Sequence, residues 1–204
     1  MIIIKKVQSP LGTLSLASDG IALVGLWLEG QKFFEATIAD EEKISFEELD
    51  RRGSAKNVDR RGSAKNVERC GAVDSLIKGI EIDSLNIEIF DIVEEWLERY
   101  FAGEQPDPAE LKLAPKGSDF RQRVWEKLLE IPYGQTVTYG QIADGLKKKS
   151  RNGVAAQAVG GAVGHNPISI IIPCHRVVGA DGSLTGYAGG IDKKEYLLRL
   201  EGAL

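Results

Sequence analysis

Cysteine and histidine are scarce, with two of each among 204 residues. Cys70 and Cys174 cannot build a disulfide framework, and His165 and His175 leave little for a structural zinc site. No run of about 18 uninterrupted apolar residues occurs, which removes a membrane-spanning helix. The opening Met1-Ile2-Ile3-Ile4-Lys5-Lys6 places its apolar residues first and has too few of them for a signal peptide. A reducing cytoplasm is the expected compartment. What remains is 43% hydrophobic and 27% charged, the composition of a globule able to bury a core.

The net charge of −4 hides an asymmetry. Residues 1–113 hold 14 Lys/Arg against 22 Asp/Glu, whereas 114–204 hold 12 against 8. A basic second half suits a polyanion, although solvated charges also fall unevenly by chance.

Along the chain, Ile2 to Val7, Gly12 to Ala17 and Ile21 to Leu28 are strand-like runs separated by turn signals, Ser9-Pro10-Leu11-Gly12 and Ser18-Asp19-Gly20. An antiparallel meander follows from them. Ile89, Val93, Trp96, Leu97 and Tyr100 recur at helical spacing, predicting a helix from Ile87 to Phe101 that packs on that sheet. Between these elements, residues 50–58 and 59–67 are identical, a polar nine-residue duplicate with no face to bury. It reads as an expanded surface loop.

After the Gly103 to Pro108 boundary, Ser118 can cap a helix carrying Phe120, Val124, Trp125, Leu128 and Leu129 on one face. Thr138-Tyr139-Gly140-Gln141 is a capping-box pattern opening a second helix. A basic loop from Lys147 to Arg151 follows, and Ala155 to Ala162 reads as a third helix of very small residues. Gly160 and Gly161 cost such a helix about 1 kcal/mol each against alanine. Tight helix packing or close approach to a DNA groove would each explain them. The order helix, turn, helix suits a helix-turn-helix module.

Ile168 to Ile172 is an apolar run, expected to be a buried strand-like segment, and it feeds into Pro173-Cys174-His175-Arg176-Val177. A cysteine there is either a buried small hydrophobe or a nucleophile. The adjacent histidine and the positive Arg176, which can favour a thiolate, support the second reading. In an extended chain, however, residues 174 and 175 point to opposite sides, so a thiol–imidazole contact needs a bend or a bridging water.

Pro173 to Val177, preceded by Gly164-His165-Asn166-Pro167 and followed by Gly186-Tyr187-Ala188-Gly189-Gly190, resembles the O6-alkylguanine-DNA alkyltransferases, the methylated-DNA–protein-cysteine methyltransferases. The similarity runs from about Ser118 to Gly202 and includes Ile131-Pro132-Tyr133-Gly134 and Val137-Thr138-Tyr139-Gly140. It implies an α/β protein with a ribonuclease-H-like N-terminal domain over 1–113, bearing the polar loop at about 50–67. A winged-helix (helix-turn-helix) alkyltransferase domain would occupy 114–204. The implied function is direct reversal of O6-alkylguanine, with O4-alkylthymine as a second lesion, in double-stranded DNA by a monomer that acts once. No cofactor, metal or membrane is implied.

Residue by residue, the resemblance makes Cys174 the alkyl acceptor, His175 a base acting through a water, and Glu201 the carboxylate that orients it. Tyr139 matches the tyrosine that donates to the departing guanine, Lys194 an active-site lysine, and Asn166 the hinge asparagine. Tyr187 matches the loop that closes over an extruded base. Gly186, Ala188, Val163 and Ser169 match positions lining the alkyl pocket. Ala155, Ala156, Gln157 and Gly160, with Arg151 and Arg176, are the implied DNA contacts. Gln157 departs from the pattern, standing where many members have an arginine that enters the base stack. Residues 1–113 also lack histidine and hold only Cys70, so the zinc site of some relatives is not expected. Two other functions fit parts of the sequence: a non-catalytic binder of alkylated bases, which would lack the acceptor cysteine, and a cysteine hydrolase, which would turn over.

Overall fold

The computed structural model describes residues 1–34, 38, 43–47, 88–147 and 153–204. The duplicate at 50–67, Cys70 and Arg151, with most of its basic loop, lie outside them. Strand β1 (Ile2–Ser9) pairs antiparallel with β2 (Gly12–Ser18), in a register that sets Ser9 opposite Gly12. The turn closes because Gly12 takes φ 92° and the Ser9 hydroxyl donates to its carbonyl at 2.7 Å. Strand β3 (Leu23–Leu28) continues the antiparallel meander, and β4 (Lys43–Ser45) pairs parallel with β1, giving the order β3-β2-β1-β4. The expected third strand from Ile21 starts later. Asp19 Oδ1 accepts the Ile21 and Ala22 amides at 2.9 Å, which holds both residues in an Asx turn and leaves Ile21 exposed.

Every residue of β3 is buried although the strand stands at the sheet edge. The second half of the chain covers that edge. Leu23 exchanges hydrogen bonds with Lys112 and Ala114, and the Leu26 amide and carbonyl bond Pro167 and Ser169, each at 2.8 Å. This capping of an unpaired edge ties the segment before Cys174 directly to the N-terminal sheet. The hydrophobic core is correspondingly continuous, running from Ile3, Leu14 and Leu26 through Phe90 and Tyr100 to Trp125, Cys174 and Leu197.

Helix α1 (88–101) packs Val93, Trp96, Leu97 and Tyr100 inward, as its periodicity predicts, while Ile89 is only half-buried and Phe90 beside it takes the core position. Helix α2 (Asp119–Leu129) starts at Ser118, whose hydroxyl accepts from the Arg121 amide. Leu129, expected on the packed face, is 40% exposed because it lies at the last turn, past the stripe that Val124, Trp125 and Leu128 bury. A short strand β5 (Val137–Thr138) leads into α3 (Tyr139–Lys147) through the expected capping box: Thr138 N donates to Gln141 Oε1 at 2.7 Å, and Gln141 N to Thr138 Oγ1 at 3.2 Å. Helix α4 (Ala156–Gly164) is pinned to α2 by Trp125 Nε1, which donates to the Ala162 carbonyl at 2.9 Å. Strand β6 (Val177–Val178) pairs parallel with β5, and α5 (Ile191–Leu200) closes the chain. No helix among the described residues is long and apolar enough to cross a membrane.

The segment Ile168–Ile172 is buried as expected but is not a strand. Only Ile168 bridges to Leu26; the chain then turns, with Ile171 N on Ser169 O at 2.8 Å and Ile170 at φ 68°. The Asn166 side chain replaces a ladder here. Its Nδ2 donates to the carbonyls of Ile168 and Ile172, and its Oδ1 accepts from Ile168 N at 3.0 Å.

Candidate active site

The turn of Cys174–Arg176 is a single 3-10 turn entered from Pro173, so Cys174 and His175 do not alternate as they would in a strand. The bend does not join the thiol to the imidazole directly: Nε2 faces Glu201, and Nδ1 has no hydrogen-bond partner among the described residues. Cys174 Sγ accepts from Asn166 Nδ2 at 3.2 Å, and the cysteine is only 5% exposed. Burial pushes the thiol above its ordinary range. The Asn166 hydrogen bond, the charge of Lys194 and the amides of Cys174 and His175 oppose that rise without cancelling it. The resting group is therefore a thiol, and a base must take its proton when it reacts.

His175 is fully buried, with Nε2 at 2.8 Å from Glu201 Oε1. Burial lowers its pKa against the raising influence of Glu201, so the ring is neutral at rest. At Glu201, burial favours the neutral acid, but hydrogen bonds and charge from His175 and Arg176 outweigh it and hold the carboxyl far below its ordinary value. An ionised carboxylate only accepts, which assigns the ring proton to Nε2 and leaves Nδ1 as a base. Nδ1 has no hydrogen-bond partner among the described residues.

Arg176 departs from both readings given to it. Its Nε and Nη2 donate to Glu201 at 2.8 and 2.9 Å, its Nη1 donates to Ile131 O at 2.6 Å, and it is 8% exposed. A guanidinium saturated by a buried carboxylate is not available to a phosphate. The cation that acts on the thiol is Lys194. It is fully buried, donates to the carbonyls of Val177 and Thr185, and is lowered by burial to about 8.

Burial raises the phenols of Tyr139 and Tyr187, and a charge on Cys174 would raise both further. Tyr139 donates to the Thr185 carbonyl at 3.1 Å. Gly186 lies against it at φ 75°, where a Cβ would stand 2.6 Å from the Tyr139 hydroxyl oxygen. Both the conformation and the space require glycine. Tyr187 is buried and its hydroxyl has no partner among the described residues. An open groove of about 440 Å³ is lined by Tyr139, Ala156, Gln157, Gly160, Thr185 and Gly186. A second, of about 400 Å³, shares Gly160 and Gly186 and adds Phe33, His165, Tyr187 and Ala188.

Of the implied pocket residues, Gly186, Tyr187 and Ala188 line these grooves, whereas Val163 packs in the core and Ser169 donates to Gln31 Oε1 at 2.8 Å. On α4, Ala156 and Gln157 are exposed after the exposed cap residue Ala155. An added Cβ at Gly161 would meet nothing within 4 Å, and one at Gly160 only the Tyr139 ring at 3.8 Å. Tight packing does not account for Gly161. Among the described residues, no group of three or more His, Cys, Asp or Glu could hold a metal ion.

Sequence reasoning missed Tyr100. It sits in the apolar stripe of α1 and reads as packing, yet its hydroxyl donates to Glu201 Oε1 at 2.6 Å. A hydroxyl in a stripe otherwise of apolar groups was the single signal.

This geometry can be set beside known proteins. Residues 119–203 match the family profile described as the 6-O-methylguanine DNA methyltransferase, DNA binding domain. A methylated-DNA–protein-cysteine methyltransferase of Methanosarcina acetivorans is 54% identical over 118 residues, which is 58% of this chain and 72% of that one. The chain belongs to this family. The crystal structure of Mycobacterium tuberculosis OGT in complex with DNA superposes with a TM-score of 0.65 at 35% identity, covering 98% of this chain and 93% of that one. An O6-methylguanine DNA methyltransferase from Methanococcus jannaschii gives 0.54 at 26% identity, covering 98% and 94%. The mixed α/β fold is that of known family members.

Proposed function

We propose that this protein repairs DNA by moving the alkyl group of O6-alkylguanine, and of O4-alkylthymine, irreversibly onto its own Cys174. The observation that carries the reading is the constellation at the 3-10 turn. A thiol is held by Asn166 beside a neutral imidazole whose free Nδ1 is backed by the Glu201 carboxylate. Family membership and the DNA complex of the M. tuberculosis relative support it.

In this reading the thiol proton passes through a water to His175 Nδ1, and Glu201 stabilises the imidazolium. The thiolate attacks the alkyl carbon in line, an S–C bond forms, and the C–O bond breaks with its electron pair going to the guanine. Tyr139 donates a proton to that leaving base, while Lys194 supplies positive charge beside it. A thioether does not hydrolyse readily, so each molecule acts once.

The extruded base would enter between Tyr139 and the 186–190 loop, where the unpartnered Tyr187 hydroxyl meets it. Exposed Ala155, Ala156, Gln157 and the bare Gly160–Gly161 surface would face the duplex, with Arg151 contributing charge. Arg176 is reassigned from DNA contact to holding Glu201. The sheet order β3-β2-β1-β4, with its parallel fourth strand, supports a ribonuclease-H-like reading of 1–113. Helices α2, α3 and α4 with β5 and β6 support a winged-helix reading of 114–204.

Mass spectrometry after incubation with an O6-methylguanine duplex tests the function: one methyl group is expected, on Cys174, and Cys174→Ala should bind DNA without reacting. Recovery of the methyl on Cys70, or repeated turnover as a cysteine hydrolase would give, overturns it.

A further inference from the structure

Tyr100 belongs to the N-terminal half, 75 residues from His175 and 101 from Glu201, and its hydroxyl reaches both. It donates to Glu201 Oε1 at 2.6 Å, the oxygen that also receives His175 Nε2, and stands 3.4 Å from Nε2 itself. The side chain is 1% exposed and is fixed on three sides. Trp96 stacks on it at 5.4 Å, and Phe101 and Tyr133 meet it edge-on. Trp96 is in turn anchored by Nε1 donating to Asp107 O at 3.0 Å.

We infer that Tyr100 is a positioning residue for alkyl transfer, by which the N-terminal half sets the basicity of the Glu201–His175 pair. The inference rests on the alkyl-transfer reading and adds a component from outside the Cys174 segment. Burial and the neighbouring carboxylate hold the phenol protonated, so it is a permanent donor. A donor on Oε1 withdraws charge from the carboxylate just where His175 binds. The pull of Glu201 on the imidazole proton is moderated, and Nδ1 stays unprotonated to lower pH. The ionisable groups bearing on this imidazole are Glu201 from the end of α5, Arg176 and Lys194. Those bearing on Tyr100 are Glu201, Arg176 and Tyr133. Of the donors to Oε1, Tyr100 alone comes from the N-terminal half.

Removing the hydroxyl has two separable consequences. Glu201 loses an orienting contact, which slows transfer at every pH. It also becomes the stronger partner of His175, which raises the imidazole pKa and moves the acid limb of the rate profile upward.

The test is the single-turnover rate of methyl transfer from an O6-methylguanine duplex as a function of pH, with His175 titrated in parallel by NMR of the ring nitrogens. Tyr100→Phe should slow the alkaline plateau about fivefold and shift both the acid limb and the His175 titration up by about one pH unit. Trp96→Phe disturbs the same packing without touching the pair, and should leave the limb in place. Fluorotyrosine at position 100, a stronger donor, should shift the limb down; it also serves if the phenylalanine variant fails to fold. A rate loss equal at all pH values with an unmoved His175 titration makes Tyr100 a packing residue and overturns the inference. Failure of the wild-type protein to take a methyl at all overturns the alkyl-transfer reading instead, and the NMR titration remains readable in that case.

Discussion

Asn166 Nδ2 donates to Cys174 Sγ at 3.2 Å, and the same nitrogen donates to the carbonyls of Ile172 at 2.8 Å and Ile168 at 3.2 Å. One amide thus both shapes the turn that carries the cysteine and touches its sulfur. Asn166→Ala leaves buried carbonyls unpaired and should cost about 1–3 kcal/mol in stability by denaturant unfolding. Asn166→Asp adds a buried charge beside the sulfur and should push the thiol higher still. Its transfer rate should keep climbing to higher pH than that of the alanine variant, with thiolate absorbance following the same order.

The Arg176–Glu201 pair gives a second prediction. Glu201→Gln removes the partner of a buried guanidinium and should destabilise by about 3–5 kcal/mol. Adding Arg176→Met to it removes the stranded charge and should recover much of that loss by thermal unfolding. Transfer should stay slow in the double variant, because His175 still lacks its carboxylate.

Lys194 titrates at about 8 when folded, against an ordinary value of 10.5. Below pH 8 the lysine is charged in both states and its burial penalty, about 3 kcal/mol, is fully present. Between pH 8 and 10.5 the unfolded chain holds a proton that the folded one has released, so stability rises with pH. Lys194→Met should remove that rise, and urea unfolding of the two proteins across this window measures the difference.

Gln157 is exposed on α4 and lines the groove with Tyr139 and Gly186. If it fills the space left by an extruded base, Gln157→Ala should slow transfer from duplex DNA and spare a free O6-alkylguanine base, which needs no flipping. Gln157→Arg should tighten duplex binding and steepen its salt dependence by about one charge's worth. Equal losses on duplex and free base would place residue 157 in the pocket rather than in the flipping step.

Elements governed by neighbours along the chain were legible. The Ser9–Gly12 turn, the Thr138–Gln141 capping box and the inward stripe of α1 follow from rules that operate over three or four residues. Strand β3 starts two residues later than its apolar run because the Asp19 side chain competes with the ladder. Ile168–Ile172 is buried without being a strand, because apolar composition reports burial and not backbone shape. Asn166, two residues upstream of Ile168, took over the hydrogen bonding.

By itself the sequence determined the candidate reactive centre: the order Pro173-Cys174-His175-Arg176-Val177, the Asn166 before it and the Glu201 after it. Those residue types carry their chemistry wherever they are placed. Tertiary structure alone decided which groups that chemistry would feel. It turned Arg176 inward onto Glu201, made Lys194 the cation that acts on the thiol, and brought Tyr100 from the other half of the chain to the same carboxylate. Contacts between residues 25 to 101 positions apart depend on how one core packs around them all, and no local pattern encodes that packing.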